Sequence, residues 1–328
     1  MRETSFFAAF LLARASLGAP DNLYRIPSAL SNTSSIGIFT STALNLDAPK
    51  VLPINASTFD WWYFDVVDTN PNSRASAAVV FYNTGPTALP FISIPGTTLS
   101  AQVIVSFPNG TLSSAPGIAV ADRATVLTSD NGSSGQWHGA GIAWTHSVYS
   151  GAWEILIDSP ELGMKGSIHL KPVSTAAPSH YPCGPAVAGQ SLAVGPHIGW
   201  ANAIPDAVST VDLVVDGTRL DFTGAGYHDK NWSDQPFAEN VISWYWGHGR
   251  VGPYSIVWFD FLATNGVEHV SAYAAKDGKI LVSSCDLSSI RVRPTGENAT
   301  YPPLLTTGPP SGYHITLDLG AEDGVLEL

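Results

Sequence analysis

A chain of 328 residues with 45% hydrophobic, 10% aromatic and 13% charged side chains can bury a large core, which excludes a disordered protein. Its 30 Gly and 24 Pro exclude a helical bundle and suit many short strands joined by tight turns. With 15 basic against 27 acidic residues, a formal charge of −12 and no Lys/Arg cluster, nucleic acid is excluded as a partner.

At the N-terminus, Arg2 is followed by an apolar run from Phe6 to Ala13 and by Ser16-Leu17-Gly18. Small residues at −3 and −1 of a cleavage point after Gly18 make residues 1–18 a secretory signal peptide pattern. Arg14 is unusual at the end of such a run, and the alternative is an unstructured arm on a cytoplasmic protein. The run is too short to span a bilayer, which needs ~20 apolar residues, so no stable membrane insertion is expected. Among the Asn-X-Ser/Thr triplets, Asn109 in PNGT and Asn131 in DNGSS lie in turn-forming strings and are the expected glycosylation sites; Asn231 lies in an aromatic motif.

Residues 19–50 carry little periodicity and read as an extended arm. From Phe59 the pattern changes: FDWWYFDVVD, SAAVVFYN, LSAQVIVSFP, GIAWTHS, AWEILIDS and MKGSIHLKPV are strand-like runs separated by NPNS, PNG, DNGSSG and SPELG. Those separators are turn chemistry, so residues 51–172 are expected to form a first β domain built of hairpins. The Pro-rich stretch 173–196 reads as a connection. A second strand set over 197–328 follows, including TRLDFTGAGYHD, VISWYWGHGRV, YSIVWFDFLA and KILVSS; it still reads as strand at Leu328, which leaves room for the natural chain to continue. The fold class is all-β, two domains whose sheets curl around an interior.

Cys183 and Cys285 are the only cysteines, with no CxxC or Cys/His ligand spacing, so a structural zinc site is excluded. One disulfide closing a long loop and two buried thiols are both open readings. There is no GxSxG elbow, GxGxxG, phosphate loop or HExxH, and no cofactor is expected.

Three motifs mix tryptophan with ionisable groups: DWWYFD at 60–65, GYHDKNW at 226–232, and WYWGHGR at 244–250 followed by IVWFD at 256–260. Strand alternation puts Trp244, Trp246, His248 and Arg250 on one face, an aromatic and cationic lining suited to a ligand pocket. By the same count Trp258 shares a face with Asp260. Trp61, Tyr63 and Asp65 oppose Asp60, Trp62 and Phe64, so neither face of that strand is purely core. Aromatic pairs on strands also serve as sheet packing, and His228 and Asp229 would equally suit a buried polar turn. No role is assigned to His138, His146, His169, His180, His197 or His314.

At DWWYFD, GAGYHDKNWSD and SWYWGHGRV the chain resembles the hydroxyneurosporene synthase-like (carotenoid hydratase) superfamily of double lipocalin-like proteins, from about Phe59 onwards. Within it, the chain looks like fungal secondary-metabolism Diels-Alderases. The resemblance implies two lipocalin-like β domains with a substrate cavity at or between them. It also implies cofactor-free [4+2] cycloaddition of a hydrophobic polyene, terpenoid or quinone-methide substrate, with a preceding dehydration as an option. A secretory signal departs from cytosolic decalin-forming relatives and points toward the hetero-Diels-Alder branch. His228, Asp229, Tyr63 and His248 are the expected catalytic residues. Trp62, Asp65, Tyr227, Asn231, Trp244, Trp246, Arg250 and Trp258 are the expected substrate contacts. The alternatives are a hydratase or isomerase on a terpenoid or polyene, and a lipocalin-like carrier that leaves its ligand unchanged.

Overall fold

The structure is a computed structural model that describes residues 22–42, 46–113, 117–173, 180–304 and 306–328. The expected signal segment lies outside the described residues. The expected all-β class holds: the strands are accompanied by a single four-residue helix, Phe237–Asn240, among the described residues. The turn strings perform as their chemistry dictates. Asp216-Gly217 and Asp277-Gly278 each place two consecutive residues at positive φ, the two-residue hairpin geometry whose twist matches the flanking strands.

The largest sheet is antiparallel between each neighbouring pair. Its order runs from Asn22–Pro27 through Arg123–Ser129 and the hairpins up to Met164–Pro172. It continues through Ile198–Val215, Thr218–Ser233, Phe59–Asp68, Ser76–Thr84 and Leu99–Ser106 to Gly117–Val120. The sheet rolls on itself. Trp137 Nε1 donates to the carbonyl of Tyr82 at 2.9 Å although their strands are far apart in the order. One continuous core, including Phe64, Phe81, Val103, Val126, Trp137 and Trp144, fills the roll.

Two expectations change here. The arm is not free: Asn22–Pro27 pairs with Arg123–Ser129, and Asp47 is buried in contact with Trp62, Ser133 and His228. The stretch 173–196 does not divide the sheets either. The strands Ile198–Val215 and Thr218–Ser233 sit between Met164–Pro172 and Phe59–Asp68 in the rolled sheet, and the change of sheet falls at the helix Phe237–Asn240. Proline density limits this stretch to the short pairings of His180–Tyr181, Gly184–Pro185 and Ala193–Gly195, but pairing over long sequence separation decides which sheet the next long strand joins.

A four-stranded sheet follows: Val241–Val251, Tyr254–Ala263, Glu268–Lys276 and Lys279–Ser284. One face packs against the outside of the rolled sheet through Phe59, Tyr82, Trp200, Tyr227, Phe259 and Phe261. Its other face packs on a three-stranded sheet formed by Ile290–Thr295, Gly312–Asp318 and Val325–Glu327. The Phe59–Asp68 strand and the second half of Thr218–Ser233 are therefore covered on both faces, which is why neither segment alternates cleanly between buried and exposed residues.

The segment after residue 180 clasps the two larger sheets together. His180 pairs with Asn202 in the rolled sheet and bonds Ser271 and Ser283 in the four-stranded sheet at 3.1 and 3.0 Å. Cys183 is disulfide-bonded to Cys285, with Cα atoms 4.5 Å apart.

Candidate functional site

Between the rolled sheet and the four-stranded sheet lies a cavity of about 300 Å³. Its wall is mainly aromatic, with Trp61, Tyr63, Tyr82, Phe91, Trp244 and Trp246 among the lining residues; Gln102, Asp229 and Asn231 add polar groups. Phe91 is half exposed and packs against Trp61, Phe237 and Trp244 with ring centroids 6.0 to 6.3 Å apart.

The polar wall is built from a repeated Tyr-x-Asp pattern on two neighbouring strands. Tyr63 and Asp65 lie on the Phe59–Asp68 strand, and Tyr227 and Asp229 on its antiparallel partner Thr218–Ser233. Register places Asp229 opposite Tyr63 and Tyr227 opposite Asp65. Within each strand, residues two apart share a face, so each phenol reaches its own carboxylate. Tyr227 donates to Asp229 Oδ2 at 2.7 Å, and Tyr63 donates to Asp65 Oδ2 at 2.9 Å.

Asp229 is 2% exposed. Its Oδ2 also accepts Trp200 Nε1–H at 2.8 Å, and its Oδ1 accepts from Asn231 Nδ2 at 2.8 Å. Trp246 Nε1 in turn donates to the Tyr227 hydroxyl at 3.2 Å. Burial raises the Asp229 pKa, and the bonds from Trp200 and Tyr227 offset only part of it, leaving the carboxyl at about 6. A carboxylic acid that holds its proton this close to neutrality, on the wall of an apolar cavity, can act as a proton donor.

Asp65 lies behind Tyr63 and also meets His248, whose Nε2 is 2.9 Å from Asp65 Oδ2. Burial disfavours the charged imidazole, but the Asp65 carboxylate outweighs it and raises the His248 pKa. His248 stacks on Tyr227 with centroids 4.3 Å apart. Burial, then Asp65, raises the Tyr63 pKa well above the ordinary phenol value, so Tyr63 stays a neutral hydrogen-bonding group.

Thus Tyr63, Asp65, Tyr227, Asp229, Asn231, Trp244, Trp246 and His248 converge on the cavity wall or directly behind it. Four other expected residues do not. His228 points to the opposite face of its strand, into the rolled sheet. There it is fully buried, stacked on Phe64 at 3.9 Å, with Nδ1 donating to the Tyr63 carbonyl at 2.8 Å and Nε2 2.9 Å from Asp47 Oδ1. Both ring nitrogens therefore face oxygen atoms, one of a carbonyl and one of a carboxylate. Burial opposes charge on Asp47, yet His228 and Ser133 hold its pKa below the usual carboxylate range.

Trp62 lies on that same inner face, with the Lys230 ammonium 3.4 Å above its ring. Lys230 is fully buried and pairs with Asp60 at 2.8 Å; burial lowers its pKa to about 8 against the pull of Asp60. Trp258 is excluded from the cavity by register. It pairs directly with Gly247, so it shares the face opposite Trp246 and His248, and a Cβ on Gly247 would lie 2.2 Å from its ring. That face meets the last sheet, where Asp260 accepts from the Val292 amide at 2.8 Å. Arg250 shares the face of Trp246 but does not line the cavity. Its guanidinium binds Asp206 at 2.6 Å and the Ala207 carbonyl at 2.9 Å.

Trp61, Tyr82, Phe91, Gln102 and Phe237 line the cavity and Trp200 bonds Asp229, and none of the six is among the expected contacts. Gln102 carries a signal, as an amide in an otherwise apolar run; the others are aromatic residues whose partners only the fold reveals. Among the described residues, no three His, Cys, Asp or Glu side chains come together as a metal ion would require. The expected glycosylation positions Asn109 and Asn131 are exposed in turns, whereas Asn231 is buried at 8% exposure.

Residues 28–292 match the model of the Diels-Alderase-like family, and the chain belongs to that family. It is 38% identical over 327 residues to the quinolone epoxide rearrangement protein asqO of Emericella nidulans, covering 98% of this chain and 86% of that protein. It is 37% identical over 315 residues to the quinolone epoxide rearrangement protein penF of Penicillium thymicola, covering 94% and 85%. The Diels-Alderase cheD of Chaetomium globosum is 27% identical over 245 residues, covering 73% of this chain and 55% of that protein. The crystal structure of CghA with Sch210972 shares the fold, with a TM-score of 0.71 at 18% identity over 94% of this chain and 85% of that one.

Proposed function

We propose that this chain is an enzyme of secondary metabolism that isomerises a hydrophobic aromatic substrate by proton donation from Asp229, with rearrangement of a quinolone epoxide as the specific reaction. The observation that carries this reading is the Asp229 carboxyl, raised to about 6 by burial on the wall of an aromatic cavity. The similarity to two quinolone epoxide rearrangement proteins supports the substrate class.

The chemistry balances without a co-reactant. The Asp229 carboxylic acid gives its proton to the epoxide oxygen, and a carbon–oxygen bond breaks to leave a carbocation. A neighbouring group migrates to that carbon with its bonding pair, a carbonyl forms, and the hydroxyl proton returns to the Asp229 carboxylate. Trp61 and Trp246 line the cavity, and an aromatic ring beside the cation stabilises it by about 2 kcal/mol where solvent is excluded. The mainly aromatic wall also offers few groups to hold the water that would trap the cation as a diol. Positioning of the migrating group supplies the remaining advantage.

A [4+2] cycloaddition in the same cavity is the second reading, favoured by family membership. It requires no proton transfer. The two readings part on Asp229→Asn, which slows acid-assisted rearrangement by on the order of 10²-fold or more but retains most of a reaction that depends on positioning. Purified protein incubated with a quinolone epoxide, followed by mass spectrometry and carbonyl detection, should give an isomer of unchanged mass. A product distribution matching buffer alone, with diol only, would overturn the rearrangement, and unchanged substrate recovered in complex with the protein would identify a carrier.

A further inference from the structure

Asp229 stands at one end of a row of cavity residues that crosses four strands at one level. Asp229 lies opposite Tyr63, Tyr63 opposite Val80, and Val80 opposite Gln102. All four line the cavity. Neighbouring strands are about 4.8 Å apart, so the backbone positions at the two ends are about 14 Å apart along the sheet. The row thus has an acid at one end, a primary amide at the other, and a phenol and an aliphatic side chain between.

The amide is oriented. The Tyr82 hydroxyl donates to Gln102 Oε1 at 3.3 Å. Burial raises the Tyr82 pKa above the ordinary phenol value, so the phenol keeps the proton it donates. With its oxygen engaged by Tyr82, Gln102 offers the cavity its Nε2–H donors. A donor at this place calls for an acceptor atom on the substrate, and the aromatic lining around it suits a flat ring as the carrier of that atom.

We propose that Gln102 selects the substrate by donating Nε2–H to a carbonyl oxygen on a fused aromatic ring, with the acid-sensitive oxygen of the same molecule reaching Asp229 at the other end of the row. This inference rests on the reading of Asp229 as the proton donor. A polyene hydrocarbon, with no oxygen to offer Gln102, would leave that donor facing an apolar surface. A ring lactam or ketone satisfies it, and the lactam carbonyl of a quinolone has this chemistry. Gln102 is a specificity residue and takes no part in bond making.

The test is a pair of binding titrations read by the fluorescence of the cavity tryptophans, with 2-quinolone and with naphthalene, a ring system of similar size that lacks the carbonyl. Wild-type protein should prefer 2-quinolone by roughly three- to tenfold, the increment of one hydrogen bond. Gln102→Met, similar in length but unable to donate, should remove the preference while naphthalene affinity is unchanged. Tyr82→Phe should reduce the preference because the amide is then free to turn its oxygen inward. Melting curves accompany each variant.

Retention of the full preference in a folded Gln102→Met variant would overturn the inference, as would the absence of any preference in wild-type protein. The same Asp229→Asn variant separates the two ideas. If it rearranges a quinolone epoxide at the wild-type rate while Gln102→Met loses the preference, the proton-donor reading fails and the selectivity stands. If Asp229→Asn is inactive and Gln102→Met still prefers 2-quinolone, only the selectivity fails.

Discussion

His228 and Asp229 are neighbours in the chain and belong to two different interiors. His228 Nε2 is 2.9 Å from Asp47 Oδ1 inside the rolled sheet, while the Asp229 carboxyl lines the cavity on the other side, held by Trp200 and Tyr227 at 2.8 and 2.7 Å. The pair therefore cannot act as one acid–base couple.

Substitutions at the two positions should have opposite signatures. Asp229→Asn should leave the protein folded and lower turnover of a quinolone epoxide by on the order of 10²-fold or more, the usual worth of a general acid. His228→Asn removes the partner of the buried Asp47 carboxylate and should cost about 3–5 kcal/mol of stability. Circular dichroism melts and single-turnover rates on both proteins check this, and a well-folded, inactive His228 variant would contradict the assignment.

The pH profile should follow Asp229. Its carboxyl sits at about 6 in the folded protein against an ordinary value of 3.8, so the acid form declines as pH rises through 6. The rate should fall about tenfold per pH unit above that point, and Asp229→Asn should lack this limb. Stability changes in the same direction. The folded state binds the extra proton between 3.8 and 6, so it loses stability as pH rises across that window. Rates and denaturant midpoints measured from pH 4 to 8 test both.

His180 should make the clasp acid-sensitive. Ser271 spends its hydroxyl proton on the Pro182 carbonyl at 2.7 Å, so it accepts from His180 Nε2–H, and Ser283 donates to Nδ1. The bond from Ser283 requires the neutral ring, whose Nδ1 keeps a free lone pair, and complete burial lowers the His180 pKa to about 3 from 6.5. The unfolded chain takes up a proton below 6.5 that the folded protein refuses until about 3. Stability should therefore fall with decreasing pH by up to about 1.4 kcal/mol per unit from this group. His180→Gln should flatten that component in denaturant titrations between pH 4 and 6.5.

The disulfide closes 102 residues. Replacing Cys183 and Cys285 by Ser together should lower stability by about 2–5 kcal/mol, read from denaturant unfolding. Secretion remains a proposal resting on residues 1–18. Protein secreted by a fungal host should show no free thiol, a terminus at Ala19 and glycan on Asn109 or Asn131; an intact Met1 and no glycan would overturn it.

Much of the site was legible from local periodicity. Two residues apart on a strand means one face, so DWWYFD separates Trp61, Tyr63 and Asp65 from Trp62 and Phe64, and WYWGHGR groups Trp244, Trp246 and His248. The turn strings and their hairpins were equally readable, because a turn depends only on the few residues that make it. Alternation also separates His228 from Asp229, but it cannot say which of those two faces meets a cavity.

That choice belongs to the tertiary structure. Trp258 leaves the site because it pairs with Gly247, a register that no local pattern encodes. His228 finds its carboxylate in Asp47, 181 residues away, and Gln102 joins Asp229 only through the pairing of four strands. Side-chain alternation is a property of one strand's backbone, whereas register, the roll of the sheet and the partners across it are fixed by packing between segments distant in sequence.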